Sequence, residues 1–254
     1  MKFLSTIPFL YFYTTRLSKG AIAFHLFFEW LAALLVVGVW GKSGLIIDIY
    51  RALVCYLSFI SLYEIGYISN DVFSARRELG GRRRGTEVVR KFWIWLWIFS
   101  RLTVFFLCVD VLEQWGSGAW WTFFIAMVVT FFLHNILIDA ELKVATFIWL
   151  AWFRFMAPII FVVEPSQRMG VAFVAAMTYV SFRQLGYLDS KGLLAMPGRR
   201  RMSFRGLYFI MSLMGALATW PYPEASASVM LSVYFGAVVS FSAIFLDLRK
   251  SQAQ

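Results

Sequence analysis

Cysteine, histidine and charge are all scarce in this 254-residue chain. It has 2 cysteines and 2 histidines, and charged residues make up only 15% of it. Cys55 and Cys108 lie inside apolar runs, where they behave as small apolar residues. Their number and spacing indicate neither a disulfide framework nor a zinc site. His25 and His134 show no metal-ligand spacing, and the chain has no glycine-rich phosphate loop, nucleophile elbow or short repeat. An ordinary soluble domain is excluded by the low charge.

Apolar residues are what the chain has in abundance. Hydrophobic residues make up 61% of it, aromatic residues 19%, and its mean hydropathy is +0.71. This composition predicts a polytopic integral membrane protein whose tryptophans, tyrosines and phenylalanines face lipid or the interfaces. The net charge of +10 would suit a nucleic-acid partner. Its distribution among the loops instead follows membrane topology, and we predict no nucleic-acid binding.

Apolar runs of about 20 residues, the length that crosses a bilayer, predict an all-α bundle of about eight spans forming one domain over residues 1–254. Most lysines and arginines fall in loops on the same side as both termini, whereas the opposite loops hold Lys42 and Arg168. The positive-inside rule therefore predicts cytoplasmic termini, in an inner membrane if the protein is bacterial. The predicted spans are Ala21 to Trp40, Leu45 to Ile68, Phe92 to Leu112, Ala119 to Ile138, Val144 to Val163, Gly170 to Tyr187, Gly206 to Trp220 and Ala227 to Leu246.

Polar residues concentrate at the cytoplasmic end of the second predicted span. Helical spacing puts Glu64, Tyr67, Asp71, Ser74 and Glu78 on one face, with Asn70 beside Asp71. Ionisable groups beside hydrocarbon need a partner, and a magnesium ion with phosphate oxygens is a good one. The arginines that follow could bind the phosphates. The alternative is a helix cap before a positive-inside loop, with Asp71 pairing an arginine.

A second polar group ends the sixth predicted span. Arg183 and Tyr187 share a face there, and Asp189 emerges at the same predicted level as Asp71. On the fifth predicted span, Lys143 and Arg154 lie on one stripe and could face one cavity. Arg154 lies near mid-bilayer and must be paired or hydrated. For Asn135 and Asp139 we expect an interhelical hydrogen bond and a helix cap rather than a catalytic pair.

The run from Asn70 to Glu78 resembles the first aspartate-rich motif of the UbiA superfamily of intramembrane prenyltransferases. That motif has the form N-D-x-x-D-x-x-x-D and leaves the second of typically nine spans. Here Ser74 replaces one aspartate and Glu78 another, and basic residues follow as in the family. The order of a lysine entering the fifth span and Asp189 after the sixth also resembles the family. The second motif keeps only Asp189.

The resemblance implies an enzyme that ionises a diphosphate donor with the help of magnesium. Tyrosine ring faces could shield the cationic carbon that results. The expected metal ligands are Asn70, Asp71, Glu78 and Asp189. The expected catalytic residues are Asn70, Asp71, Arg183 and Asp189, and the expected diphosphate-binding residues are Tyr67, Arg77, Arg83, Arg84, Lys143, Tyr187 and Lys191.

Two donors fit this expectation. A polyprenyl diphosphate would give prenyl transfer to an aromatic or lipid acceptor at the cytoplasmic side, which we place first because it is the broader family activity. Phosphoribosyl diphosphate would give phosphoribosyl transfer to a polyprenyl phosphate in cell-envelope glycan synthesis. A non-catalytic membrane component for lipid binding or transport is the third hypothesis, because fold resemblance does not decide function.

Overall fold

The computed structural model describes residues 4–17, 22–74, 91–218 and 222–251. Within these ranges the protein is all-helical, apart from an antiparallel bridge between Gly41 and Val163. The α-helices are α1 (Leu10–Phe12), α2 (Ile22–His25), α3 (Leu31–Trp40), α4 (Leu45–Val72), α5 (Lys91–Val111), α6 (Gly118–Ile136), α7 (Ala140–Met156), α8 (Pro165–Ala175), α9 (Ser181–Ser190), α10 (Met202–Ala218) and α11 (Ser226–Ser251).

Within the described ranges, five helical segments are long and apolar enough to cross a membrane. They confirm a polytopic helical membrane protein. Three further spans predicted from sequence correspond to α7, to the helix that runs from α8 into α9, and to the shorter apolar helix α10. The count of eight spans and the cytoplasmic termini stay predictions. The five segments are Ile22–Trp40, Leu45–Val72, Lys91–Val111, Gly118–Ile136 and Ser226–Ala243.

The chain divides into two compact units, and the prediction of one domain over residues 1–254 stays a prediction. Unit 1 comprises Met1–Ala23 and Ile49–Phe161, and its core is aromatic. Trp120 of α6 is fully buried, with ring centroids 4.5 Å from Phe124 and 4.8 Å from Phe161. The Phe131 ring of α6 packs directly against the backbone of α4 at Gly66, which has no side chain. A Cβ atom added there would lie 2.5 Å from the Phe131 ring.

Unit 2 comprises Phe24–Asp48 and Val162–Gln254. Its core is a stack of phenylalanine rings contributed by three separate helical segments. Phe28, Phe209 and Phe235 have ring centroids 4.8 to 5.8 Å apart. Buried valines and alanines of α3, α8 and α11 complete the core, as expected for helices that pack through small side chains in a membrane.

Three single π-helical turns occur within the described ranges. The turn Tyr13–Leu17 follows α1, Leu26–Trp30 lies between α2 and α3, and Ala176–Val180 lies between α8 and α9. A π-turn forms a wider hydrogen-bonded ring than an α-turn, is rare, and is found frequently at functional sites. Each of these turns carries a polar residue considered below: Arg16, Glu29 and Tyr179.

The pair Asn135 and Asp139 serves the structural purposes that its spacing predicts. Asn135 Nδ2 donates to the Gly66 carbonyl on α4 at 3.0 Å, which is an interhelical hydrogen bond. Asp139 is the N-cap of α7, and its carboxylate accepts from the Glu141 amide at 2.7 Å and the Leu142 amide at 3.4 Å. Both predictions are confirmed.

Candidate functional site

The candidate site in unit 1 is built around the last two turns of α4. Asp71, the carboxylate singled out from the sequence, is held by the amino-terminal segment. Tyr11 donates its hydroxyl to Asp71 Oδ2 at 2.8 Å, and Arg16 Nη2 lies 2.8 Å from Oδ1 and 3.0 Å from Oδ2. Asn70 Nδ2 lies 3.4 Å from Oδ1. The partner that the structure gives to Asp71 is therefore an arginine.

This ion pair is well shielded from solvent, with the side chains of Arg16 and Asp71 9% and 4% exposed. Burial lowers the pKa of the Arg16 guanidinium, but the hydrogen bond and charge of Asp71 outweigh burial and raise it above its ordinary value. Burial, reinforced by the charge of Asp71, raises the pKa of Tyr11. Both effects keep Arg16 charged and Tyr11 protonated, so both remain hydrogen-bond donors.

A second ion pair lies further along α4. Arg101 Nη2 of α5 is 2.7 Å from Glu64 Oε2, and both side chains are fully buried. Glu64 Oε1 also accepts from the Phe12 amide at 2.6 Å, while Arg101 donates to the carbonyls of Trp97 and Ser5 at 2.9 Å each. Because desolvated charges are tolerated only when they are paired and hydrogen-bonded, these contacts fix the amino-terminal segment against α4 and α5.

Arg154 of α7 enters the same cluster through aromatic side chains. It donates to the Tyr67 hydroxyl, and its guanidinium carbon lies 4.7 Å from the ring centroids of Phe12 and Tyr63. The Arg16 guanidinium carbon lies 4.4 Å above the Tyr67 ring. Tyr67 thus contacts both arginines. Cation–π contacts of this kind stabilise a desolvated guanidinium.

One atom of Arg16 is available for further binding. Its Nη1 is buried and has no hydrogen-bond partner among the residues that the structure describes. A guanidinium presents five N–H donors, and leaving a buried donor unsatisfied costs about 1–3 kcal/mol. An unsatisfied cationic donor beside Asp71 and Tyr67 is the kind of group that binds an anionic oxygen of a ligand.

The predicted residues on the sixth predicted span lie in unit 2. Arg183 Nη1 donates to the Tyr179 hydroxyl at 3.3 Å. Asp189 Oδ2 accepts from Arg199 Nε at 2.9 Å and Nη2 at 2.6 Å, in a partly exposed ion pair. Lys191 Nζ lies 5.8 Å from the centroid of the Tyr187 ring. Like Asp71, Asp189 has an arginine as its partner in this structure.

Several predicted residues cannot be placed in this geometry. Arg77, Glu78, Arg83 and Arg84 lie outside the described residues. Lys143 is buried in the first turn of α7, on the helix that carries Arg154. Within the described part of the chain, no three histidine, cysteine, aspartate or glutamate side chains gather as metal ligands. The predicted ligand set therefore stays a prediction.

Sequence reasoning missed Tyr11, Arg16 and Arg101 as members of the cluster. Arg16 lies before the first predicted span, where its charge indicates only topology. The Glu64–Arg101 pair did leave a signal, since each residue lies within a predicted span and an intramembrane charge needs a counter-charge. Matching the acidic and basic residues of the spans would have suggested the pairing.

Comparison with known proteins identifies no relative. No family model matches this chain, and neither a curated protein nor a solved structure is significantly similar to it. What the geometry defines is an integral membrane protein of helices with a buried cluster of arginines, carboxylates and tyrosines at one end of α4. The resemblance to the UbiA superfamily rests on the sequence motif and stays a prediction.

Proposed function

We propose that this protein is an integral membrane transferase of the UbiA type. It takes a diphosphate-bearing donor at the cluster of Arg16, Tyr67, Asp71 and Arg154, and transfers the donor's prenyl group to an aromatic or lipid acceptor at the cytoplasmic side. The observation that carries the proposal is the buried Nη1 of Arg16, which lacks a hydrogen-bond partner among the described residues. Its position beside the motif carboxylate suits a phosphate oxygen.

The chain's own residues supply binding and shielding in this mechanism. Arg16 and Arg154 bind the diphosphate and stabilise the negative charge that grows as the carbon–oxygen bond of the donor breaks. Tyr67 positions both guanidinium groups, because it contacts each of them. The rings of Tyr63 and Phe12 hold the Arg154 guanidinium in place, since its carbon lies 4.7 Å from each ring centroid.

Magnesium fits the chemistry of the donor atoms at the end of α4. The Asp71 carboxylate and the Asn70 carboxamide offer the oxygen ligands that magnesium prefers, and this ion is usually held by one or two carboxylates plus substrate phosphates. Glu78 and Asp189 remain the further expected ligands. The ion would supply charge neutralisation for the leaving diphosphate. For Asp71 to bind it, Arg16 must exchange at least one carboxylate oxygen for a phosphate oxygen of the donor.

The test is transfer of label into the lipid fraction by purified protein. Labelled polyprenyl diphosphate and labelled phosphoribosyl diphosphate are supplied in parallel, with magnesium and a broad lipid extract containing polyprenyl phosphate. Prenyl transfer predicts product from the first donor, and a chelator should abolish it. A charge-assisted hydrogen bond is worth about 1.5–3 kcal/mol, so Arg16→Gln should lower donor turnover about 10- to 150-fold.

Arg168→Gln is the matched control for Arg16→Gln. Arg168 lies near the start of α8, donates to the Val163 carbonyl and is predicted on the other side of the membrane. This control should transfer label at the wild-type rate. Product from the phosphoribosyl donor instead would choose the phosphoribosyltransferase hypothesis, which the number of arginines at the cluster also suits. Equal loss in both arginine variants would contradict the site assignment.

A non-catalytic component that binds a lipid phosphate is the second candidate. The observation in its favour is that Glu64 and Asp71, the two carboxylates of the cluster, are each paired with an arginine. In that case the arginines bind phosphate without turnover. Folded wild-type protein that binds polyprenyl diphosphate and transfers neither label would select this candidate.

A further inference from the structure

Both oxygens of the Asp71 carboxylate are bound by residues of the amino-terminal segment. Arg16 Nη2 lies 2.8 Å from Oδ1 and 3.0 Å from Oδ2, and Tyr11 donates its hydroxyl to Oδ2 at 2.8 Å. The Asp71 side chain is only 4% exposed. A metal ion that binds this carboxylate must therefore displace a cation that is already there.

Arg16 and a divalent ion cannot share the carboxylate without a large cost. Magnesium holds its oxygen ligands at about 2.0–2.1 Å, so an ion on either oxygen of Asp71 would lie directly beside the guanidinium. Like charges at such a short distance repel strongly in a poorly solvated site. The ion pair of Arg16 and Asp71 thus excludes magnesium for as long as no other anion takes the arginine.

A diphosphate can take the arginine, because one terminal nitrogen of Arg16 is not used by Asp71. Nη2 binds the carboxylate, whereas Nη1 is buried and lacks a hydrogen-bond partner among the described residues. The guanidinium carbon lies 4.4 Å from the centroid of the Tyr67 ring, whose face stabilises the cation. A phosphate oxygen can bind Nη1 first, and a bidentate contact with the phosphate then draws Nη2 away from Asp71.

The two residues that bind Asp71 are held in different ways. Tyr11 is buried in the core against Trp97 of α5, with ring centroids 5.8 Å apart. Arg16 lies in the π-turn Tyr13–Leu17, a rare and wide turn of the kind found at functional sites. Tyr11 therefore keeps Asp71 in place through Oδ2 while Arg16 exchanges its partner.

We propose that the ion pair of Arg16 and Asp71 is an autoinhibitory contact that fixes the order in which the site is loaded. The diphosphate binds first and takes Arg16, which frees an oxygen of Asp71, and the divalent cation binds second. This inference rests on the proposed function and adds regulation of the same site. Magnesium alone does not occupy the site, and each ligand strengthens the binding of the other.

The exchange predicts that two substitutions tighten binding, each for a different ligand. Arg16→Gln removes the competing cation, so a divalent cation alone should bind at least about tenfold more tightly than it binds the wild type. Asp71→Asn removes the carboxylate that competes for Arg16, so metal-free diphosphate should bind at least about tenfold more tightly. Residues that only held a ligand or the fold would weaken binding when they are substituted.

The first experiment measures binding of Mn²⁺ alone, because manganese accepts the same oxygen ligands as magnesium and is paramagnetic. The loss of the EPR signal of free Mn²⁺ reports binding to purified protein without turnover. It is followed at about pH 8, where a carboxyl group that has lost its arginine can still ionise. Arg16→Gln should bind Mn²⁺ more tightly than the wild type, whereas the control Arg168→Gln should bind it as the wild type does. Equal Mn²⁺ affinity of the wild type and Arg16→Gln would overturn the inference.

The second experiment measures binding of labelled inorganic diphosphate, first with EDTA and then with saturating Mn²⁺. Asp71→Asn should bind diphosphate more tightly than the wild type in EDTA. Asp110→Asn is its matched control and should leave the affinity unchanged, because Asp110 lies near the end of α5 and accepts only a long hydrogen bond of 3.3 Å from Trp115. The gain in diphosphate affinity that Mn²⁺ gives the wild type should shrink at least about tenfold in Arg16→Gln, since the coupling is reciprocal.

The wild type tests the order of loading even if a variant does not fold. It should bind diphosphate in EDTA, and Mn²⁺ alone should not bind at concentrations that saturate the gain in diphosphate affinity. Wild type that transfers label but binds Mn²⁺ equally well with and without diphosphate overturns the loading order and leaves the proposed function intact. Folded wild type that loads in the proposed order and transfers neither label overturns the transferase and keeps the exchange. Wild type that binds no diphosphate overturns both.

Discussion

The buried pair of Glu64 and Arg101 gives the sharpest stability prediction. Both side chains are fully buried and 2.7 Å apart, on helices that run inside the membrane-spanning part of unit 1. Replacing one partner leaves the other charge desolvated and without its counter-charge. That loss costs about 3–5 kcal/mol, which lowers the folding equilibrium constant by roughly 100- to 4,000-fold.

The two single variants should differ in magnitude. In Glu64→Gln, Arg101 keeps the carbonyl acceptors of Trp97 and Ser5, each at 2.9 Å, so part of its hydrogen bonding survives. In Arg101→Met, the Glu64 carboxyl keeps the Phe12 amide and can take up a proton once its cation is gone. Arg101 cannot lose its charge in this way, so we expect Glu64→Gln to be the more destabilising of the two, near the upper end of the range.

The double variant Glu64→Gln with Arg101→Met removes both charges at similar volume. It should be more stable than Glu64→Gln alone by at least about 1 kcal/mol, since no unpaired charge remains buried. Unfolding in detergent can be followed through Cys55 and Cys108, which are 1% and 5% exposed and react with a thiol dye only when the bundle opens. Additive effects of the two substitutions would refute the ion-pair reasoning.

Three further substitutions test smaller features by the same unfolding assay. Gly66→Ala places a Cβ atom 2.5 Å from the Phe131 ring and should destabilise by about 1–3 kcal/mol, and Phe131→Leu should restore part of the loss. Asp189→Asn removes the partly exposed pair with Arg199 and should cost at most about 1 kcal/mol; a larger loss would mean that Asp189 has another structural role. Asp139→Ala removes the N-cap of α7 and should cost about 1 kcal/mol, whereas Asp139→Asn should cost less.

The membrane class and the local helix signals could be predicted because they depend on neighbouring residues. An apolar run long enough to span a bilayer is visible in the sequence. The helix makes its backbone hydrogen bonds within itself, and its apolar side chains can contact lipid, so no other segment of the chain is needed to form it. The cap at Asp139 is equally local, because its carboxylate bonds to amides two and three residues ahead. Such features need no knowledge of tertiary contacts.

The partners of the candidate site could not be predicted in the same way. Asp71 contacts Arg16 across 55 positions, and Glu64 contacts the Phe12 amide across 52. A sequence motif indicates that a carboxylate needs a counter-charge, but a metal ion and an arginine satisfy that need equally well. Which one lies there depends on how the amino-terminal segment folds back onto α4.

An all-helical membrane protein with acidic residues at the end of its second long helix could be predicted from the sequence alone. The pairing of Arg16 with Asp71, of Arg101 with Glu64, and of Glu29 with both His25 and Tyr179 became visible only in the packed helices. The difference lies in the range of the forces involved. Hydrophobic length and capping act within a few turns of one helix, whereas pairing of buried charges is set by which helices pack together.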